Sequence, residues 1–348
     1  MVLRKLFCIA ILALFLSACG QPVPVETEPT ATVHENPTES SAAETVAPTT
    51  EPQETQPTVT TVDPEAIKQE AETMEQAPPA VAALPSVEAP GILVKAGGGA
   101  VIDYSNASLG YVMVRYEDQI QQRLKVQVKG PHTTYTYNLQ VQQWTAFPLS
   151  DENGSYQVVV YQNVTGSKYA TVLSLHVQVT LEDEFAPFLH GNQYVNYDDA
   201  PNTVAKAAEL TAKIAHPLEK VAAIYDYVIS TLTYDEELAA TVKSGYLPNL
   251  DAVLEKKSGI CFDYAALMTG MLRSQGIPAK LVVGYAGQSY HAWISVWTQE
   301  TGWVDGVIYF DGTNWQRMDP TFASSAGASE EIMNYIGNGE NYRAKYFY

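Results

Sequence analysis

Apolar and polar residues alternate with a period of two along much of the chain between residues 91 and 183, a pattern that is typical of half-buried β-strands. Five runs carry this pattern: 111–116, 124–128, 134–139, 156–161 and 170–179. Segments with Gly, Pro and Asn separate the runs and predict turns. Several short strands at this spacing predict an all-β domain over residues 91–185, of the immunoglobulin-like sandwich type.

The pattern changes after residue 200, where apolar residues recur every three or four positions and predict helices. Helices are expected over 202–214, 218–231, 249–256 and from Cys261 onward. Strand-like runs follow at 280–285, 289–297 and 307–310, and we expect an aromatic strand that ends near Trp315. Residues 186–348 are therefore predicted to form a second domain in which helices precede strands.

The first 19 residues have the features of a secretory leader. A basic start is followed by an apolar run from Leu6 to Leu16, which is too short for a confident membrane span. The run ends in Leu-Ser-Ala-Cys at 16–19, which resembles the bacterial lipoprotein cleavage box. That resemblance implies a lipid on Cys19 and an extracytoplasmic protein anchored to the membrane. A signal peptide without lipidation and an uncleaved anchor are the alternatives.

Residues 20–90 are predicted to be a disordered linker. The segment 21–90 holds 12 of the 20 prolines and has no aromatic residue, so it cannot bury enough apolar surface to fold. It also has 13 acidic residues and one lysine, and the whole chain has a net charge of −19. The absence of a basic patch in the sequence argues against nucleic acid as a partner.

Candidate chemistry centres on Cys261, since the other two of the three cysteines lie in the leader. A thiol in the first turn of a helix is close to the positive end of the helix dipole, which favours the reactive thiolate. His291 on a later strand supplies a base, and Asp319 supplies a group that orients the base. A buried apolar role for the cysteine is the alternative. Asp305 and Asp311 could replace Asp319, although turn positions explain both more simply.

Four motifs in this order resemble the transglutaminase-like superfamily. They are Gly-Ile-Cys-Phe-Asp-Tyr-Ala at 259–265, Gly-Ile-Pro-Ala at 276–279, His-Ala-Trp at 291–293 and Asp-Pro-Thr at 319–321. The resemblance covers about residues 200–325. It implies an α+β fold with a papain-like core, in which helices pack on an antiparallel sheet, and a catalytic set of Cys261, His291 and Asp319.

The resemblance also implies acyl transfer through a thioester on Cys261, ending in transamidation or hydrolysis. Tyr234 and Trp293 are weaker candidates for oxyanion stabilisation or substrate contact. The chemistry asks for no metal and no cofactor, and the expected partner is a protein or peptide substrate at the cell envelope. A catalytically silent adhesion lipoprotein, which would use the same fold for recognition, is the alternative function.

Overall fold

Eight strands occupy residues 94–179 in the computed structural model, which describes residues 86–299, 302–305, 307–310, 315–318 and 341–348. These strands are β1 (Val94–Gly97), β2 (Ala100–Asp103), β3 (Tyr111–Tyr116), β4 (Leu124–Lys129), β5 (Thr134–Leu139), β6 (Thr145–Pro148), β7 (Gly154–Thr165) and β8 (Lys168–Val179). They form two antiparallel four-stranded sheets with the strand orders β1-β2-β3-β6 and β5-β4-β7-β8.

The period-two pattern of the sequence is visible in the burial of β4 and β5. In β5 exposed and buried residues alternate, and Tyr135, Tyr137 and Leu139 are buried. Val126 of β4 lies opposite Tyr137 in the antiparallel register, so the two strands present apolar side chains to the same face. A slip of one residue would turn these side chains to the solvent, and burial of the face therefore fixes the register.

The second half of the described chain contains five α-helices and eight strands. The helices are α1 (Pro201–Thr211), α2 (Pro217–Thr231), α3 (Glu236–Thr241), α4 (Leu250–Lys256) and α5 (Cys261–Ser274). The strands are β9 (Thr233–Tyr234), β10 (Ser258–Gly259), β11 (Ala279–Ala286), β12 (Ser289–Thr298), β13 (Gly302–Asp305), β14 (Val307–Phe310), β15 (Trp315–Met318) and β16 (Tyr342–Phe347). An antiparallel sheet has the order β13-β12-β11-β16, while β9 pairs with β10 and β14 pairs with β15.

Helix α5 is the central element of this half. All of its residues from Asp263 to Arg273 are buried, as expected for a helix that is covered on all sides. It packs on β11 and β12, and α1, α2 and α4 also contact it. Gly270 allows α4 to come close, because a Cβ atom there would lie 2.6 Å from Cδ1 of Leu250.

Arg273, near the end of α5, joins three segments that are far apart in the chain. Its side chain is fully buried, and it donates hydrogen bonds to three main-chain oxygens. The acceptors are Ala279 at 2.9 Å, His190 at 2.7 Å and Tyr348 at 2.6 Å. Burial lowers the pKa of Arg273 to about 10. The guanidinium therefore ties α5 to β11, to the segment before α1 and to the residue after β16.

Aromatic side chains connect the β-strands of the first half to the helices of the second. Tyr137 of β5 lies 5.7 Å from Tyr194 and 5.9 Å from Tyr348, measured between ring centroids. Tyr194 in turn lies 5.4 Å from Phe262 of α5. One buried apolar cluster accordingly runs from the strands β2 to β8 into α5 and β12. The domain boundary at residue 185 stays a prediction from the sequence.

The predicted strands at 111–116 and 134–139 are confirmed to the residue, and the helix predicted over 218–231 differs by one residue at its start. The prediction of an aromatic strand that ends near Trp315 is wrong, because β14 ends at Phe310 and β15 begins at Trp315. The prediction missed β1, β2, β6, β9, β10 and β13, which have four residues or fewer and therefore show too little alternation to detect. It also missed α3 and the six-residue strand β16. Within the described ranges, no helix is long and apolar enough to cross a membrane.

Candidate active site

Cys261 is the first residue of α5 and the one cysteine within the described ranges of the chain. Ile260 before it has an extended backbone, so the helix starts abruptly at the thiol. The residue is 8% exposed. The approach to the helix is fixed by the short parallel pair of β9 and β10, in which Gly259 lies opposite Tyr234. The structure therefore brings the weaker candidate Tyr234 to the strand that leads into Cys261.

Asp263 caps the helix start that carries Cys261. Its Oδ2 accepts a hydrogen bond of 2.9 Å from the Ile260 N–H, and its Oδ1 accepts one of 2.7 Å from the Tyr246 hydroxyl. Burial raises the pKa of Asp263, and the bonds from Ile260 and Tyr246 partly oppose that increase. The carboxylate thus stabilises the first turn of α5.

Gly259 leaves room for this cap. A Cβ atom at Gly259 would lie 2.6 Å from Cβ of Asp263 and 2.8 Å from its Oδ2, which is closer than Cβ atoms approach in proteins. Any side chain at 259 would therefore displace Asp263 and the turn that presents Cys261. The glycine of the sequence motif has a direct steric reason in this structure.

His291 lies on β12, opposite Gly284 of β11 in the antiparallel register. It is 1% exposed, and its ring stacks on Trp293 at 6.3 Å with an interplanar angle of 20°. Trp293 is also buried and makes an edge contact with Tyr342 at 5.2 Å. A Cβ atom at Gly284 would lie 2.8 Å from Trp293, so the glycine is needed for this packing. Trp293 is therefore placed directly beside the candidate base.

The helix of Cys261 and the strand of His291 pack against each other. Tyr290, the residue before His291, is near Cys261: burial raises the pKa of Tyr290 to about 12, and negative charge on Tyr346, Tyr285 and Cys261 adds to the increase. Along β12, Ala292 belongs to the core that contains α5, whereas Trp293 lies outside that core. Because successive side chains of a strand alternate, His291 shares the side of Trp293. Proton transfer between its imidazole and Cys261 therefore requires contact around the first turn of α5, where the thiol lies, and not across the face of the helix.

Two residues of the sequence prediction lie outside the part of the chain that the structure describes. They are Asp319, the predicted orienting carboxylate, and Cys19, the predicted lipidation site. Of the rival carboxylates, Asp311 also lies outside, and Asp305 ends β13 opposite Ser295 of β12. Their roles stay predictions. In the described ranges, no three His, Cys, Asp or Glu side chains are grouped closely enough to hold a metal ion.

Tyr246 and Tyr290 are neighbours of the site that were not predicted from the sequence. Tyr246 is 17 positions from Asp263 in a segment without regular structure, and nothing in its surroundings indicates which carboxylate it bonds. The position of Tyr290 could have been noticed in the sequence, because it immediately precedes His291 on a predicted strand. Its proximity to the thiol depends on how β12 lies on α5, which only the packing decides.

Comparison with known proteins identifies the domain that contains this site. Residues 204–306 match the model of the transglutaminase-like superfamily. A protein-glutamine gamma-glutamyltransferase of Pseudomonas aeruginosa is 31% identical over 33% of this chain and 18% of its own length. The protein YebA of Bacillus subtilis, which is uncharacterised, is 26% identical over 45% of this chain and 24% of its own length. The chain therefore spans less than a quarter of the length of either relative.

Two solved structures align with this chain, and their overall structural similarity to it is low. The periplasmic domain of TgpA from Pseudomonas aeruginosa, bound to ethylmercury, is 24% identical, with 64% of this chain and 74% of that chain covered and a TM-score of 0.31. A red sea bream transglutaminase is 15% identical, with 65% and 53% covered and a TM-score of 0.28. The family match shows that this chain carries a transglutaminase-like domain, with helices and antiparallel sheets.

Proposed function

We propose that the transglutaminase-like domain of this chain is a cysteine enzyme that transfers an acyl group from an amide through a thioester on Cys261. The observation that carries the proposal is the position of Cys261 in the first turn of the buried helix α5, which packs on the strand of His291. The first N–H groups of a helix have no acceptor within the helix, and the dipole favours an anion there. Both effects stabilise a thiolate.

In the proposed reaction the Cys261 sulfur attacks the amide carbonyl carbon and forms a tetrahedral intermediate. The main-chain N–H of Cys261 is a donor for the oxyanion, and Tyr234 is a second candidate from β9. His291 takes the thiol proton and returns it to the departing amine, while Asp319 orients the imidazole. Water or a second amine then attacks the thioester, which releases an acid or a new amide and restores the thiol.

The test is the alkylation rate of Cys261 in the full chain, followed by peptide mass mapping so that Cys8 and Cys19 are counted separately. A thiol with an ordinary pKa near 8.5 is only about 3% ionised at pH 7, so an activated cysteine should react at least tenfold faster than a model thiol. We expect His291→Ala to lower the rate at pH 7 by about tenfold. Equally slow reaction of both proteins would instead favour the adhesion lipoprotein.

A second experiment determines whether water or an amine attacks the thioester. A glutamine-containing peptide is incubated with the protein, with and without a primary amine, and its mass is read. A gain of the amine with loss of ammonia indicates transamidation, and conversion of the amide to the acid indicates hydrolysis. The Cys261→Ser variant should give neither product, since a neutral hydroxyl in place of the thiol is a much weaker nucleophile.

We also propose that the protein is extracytoplasmic and anchored by a lipid on Cys19, as the leader sequence supports. In the expressing bacterium, an alkyne-tagged palmitate should label the wild-type protein and leave Cys19→Ala unlabelled. Label on both proteins would place the lipid elsewhere, and label on neither would indicate a leader without lipidation.

The immunoglobulin-like assignment of the first eight strands is likewise a proposal. It is supported by the way the chain alternates between sheets: β4 and β5 join one sheet, β6 returns to the other, and β7 and β8 join the sheet of β4. An immunoglobulin domain divides its strands between two antiparallel sheets in a comparable way. An experimental structure in which the two sheets do not pack face to face would refute this assignment.

A further inference from the structure

A cavity of about 570 Å³ lies where the turn after β6, the segment after β8 and the C-terminal sheet meet. Five acidic side chains line it: Asp151, Glu152, Glu182, Asp183 and Glu184. Lys280 is the one basic residue among its described lining residues, and Phe188, Trp303 and Phe347 form an aromatic floor. The cavity therefore combines an apolar base with an excess of negative charge.

Two of the five carboxylates accept hydrogen bonds from main-chain N–H groups of the fold. Asp151 is buried, and its Oδ2 accepts hydrogen bonds from the N–H groups of His132 and Thr133. Asp183 accepts two bonds of 2.8 Å from main-chain N–H groups at the start of the next turn. Glu152, Glu182 and Glu184 are exposed, and Glu182 accepts one long hydrogen bond of 3.4 Å from the Ser108 hydroxyl. These three are therefore the carboxylates that can reach a ligand.

The one lining cation is held against the floor. Nζ of Lys280 lies 3.7 Å from the ring centroid of Trp303 and 4.8 Å from that of Phe188. Phe188 makes an edge contact with Trp303 at 5.3 Å, which fixes the floor. A cation over aromatic faces is stabilised by the rings themselves. Lys280 thus lies over the rings, and the five acidic side chains outnumber it.

The rim is also fixed before any ligand arrives. The buried hydroxyl of Tyr156 accepts a hydrogen bond from the Asp151 N–H and donates one to the Glu152 main-chain oxygen, both at 2.8 Å. Ser150 donates a bond of 2.7 Å to the main-chain oxygen of Phe347, which joins the rim to β16. A rim that is held in this way loses little conformational entropy on binding.

We propose that this cavity is a docking site for a basic peptide segment of another protein, with lysine or arginine side chains that reach Glu152, Glu182 and Glu184. Negative charge argues against two possible occupants of this acidic cavity, the chain's own segment 21–90 and a second copy of the chain. The chain's own segment 21–90 has 13 acidic residues and one lysine, and a second copy of the chain has a net charge of −19. Lysine fits the site because its apolar stem can pack on the aromatic floor while its ammonium meets the rim.

The proposed docking site does not depend on thioester chemistry at Cys261, so either proposal can be refuted while the other stands. The test is fluorescence anisotropy of a fluorescein-labelled peptide of alternating Lys and Gly, titrated with the full-length protein in 0.15 M salt, the ionic strength at which the screening length is about 8 Å. A peptide with norleucine in place of each Lys keeps the stems and removes the charges. We expect the Lys peptide to bind at least tenfold more tightly than the norleucine peptide.

Two triple variants separate the site from general attraction to an acidic protein. Glu152→Gln, Glu182→Gln and Glu184→Gln together should weaken binding of the Lys peptide at least tenfold. The matched control changes three exposed glutamates on helices, Glu219, Glu236 and Glu255, to Gln and should stay within twofold of wild type. Equal weakening by both sets, or unchanged binding in both, would overturn the proposal.

A variant at Lys280 should strengthen binding of the Lys peptide, whereas the glutamate variants should weaken it. Lys280→Met removes the one lining cation and keeps an apolar side chain on the floor, so the Lys peptide should bind about threefold more tightly. Weaker binding of this variant would contradict the proposed role of the rim charge. The Cys261 alkylation rate, measured in every variant, should equal that of the wild type, which shows that the fold of the neighbouring domain is intact.

Discussion

Replacement of Arg273 by Met should destabilise the protein by about 2 kcal/mol. The change leaves the main-chain oxygens of His190, Ala279 and Tyr348 without their buried donor. The Tyr348 oxygen keeps a hydrogen bond of 2.9 Å from the Leu281 N–H. At about 2 kcal/mol for each of the other two acceptors and about 1 kcal/mol for the bond lost at Tyr348, the loss is about 5 kcal/mol. Removal of the buried charge opposes it. Burial lowers the pKa of Arg273 from 12.5 to about 10, and a shift of that size corresponds to about 3 kcal/mol of desolvation.

The measurement is urea unfolding followed by tryptophan fluorescence, at pH 7 and fixed protein concentration. Arg343→Met is the matched control, because Arg343 is an exposed residue of β16 that lies over Tyr285 at 5.4 Å. The control should change the free energy of unfolding by no more than about 0.5 kcal/mol. If the two variants lose the same stability, the three buried hydrogen bonds do not hold the segments together as described.

Three further predictions follow from the surroundings of the site. Gly259→Ala forces Asp263 away from Ile260, so it should lower the free energy of unfolding by about 1–3 kcal/mol and slow the alkylation of Cys261. An unchanged alkylation rate and an unchanged stability would contradict this steric explanation. Asp251→Ala removes the acceptor for the Asn202 and Thr203 N–H groups at the start of α1 and should cost about 1–2 kcal/mol in urea unfolding, with the exposed Glu255→Ala as control. The hydrogen bond from Lys256 lowers the pKa of Asp235. The difference in unfolding free energy between wild type and Asp235→Asn should therefore be present at pH 6 and should shrink as the pH falls below about 4. A difference that does not change with pH would exclude the ion pair as its cause.

Much of this protein could be predicted from local sequence because the signals are local. The bounds of β3 and β5 were predicted to the residue. In β5 one face is buried and the other exposed, so the sequence alternates, whereas β3 is a short apolar run that is buried on both faces. The candidate nucleophile was predictable for a similar reason. A glycine, a cysteine and an acid two positions later, at the start of an apolar helix, specify a capped helix terminus, and Asp263 does cap it.

The sequence identified the candidate catalytic residues, the helices α1, α2, α4 and α5, and the strands β11, β12 and β14. Only the tertiary structure decided that Arg273 bonds three distant main-chain oxygens, that Tyr246 holds Asp263 and that acidic residues from two separate turns meet an aromatic floor. The physical reason is the range of the interactions. Hydrophobic periodicity and helix caps act over a few residues, whereas these contacts join segments up to 197 positions apart, as in the bond from Ser150 to Phe347, and they form only when burial of the shared core brings the segments together.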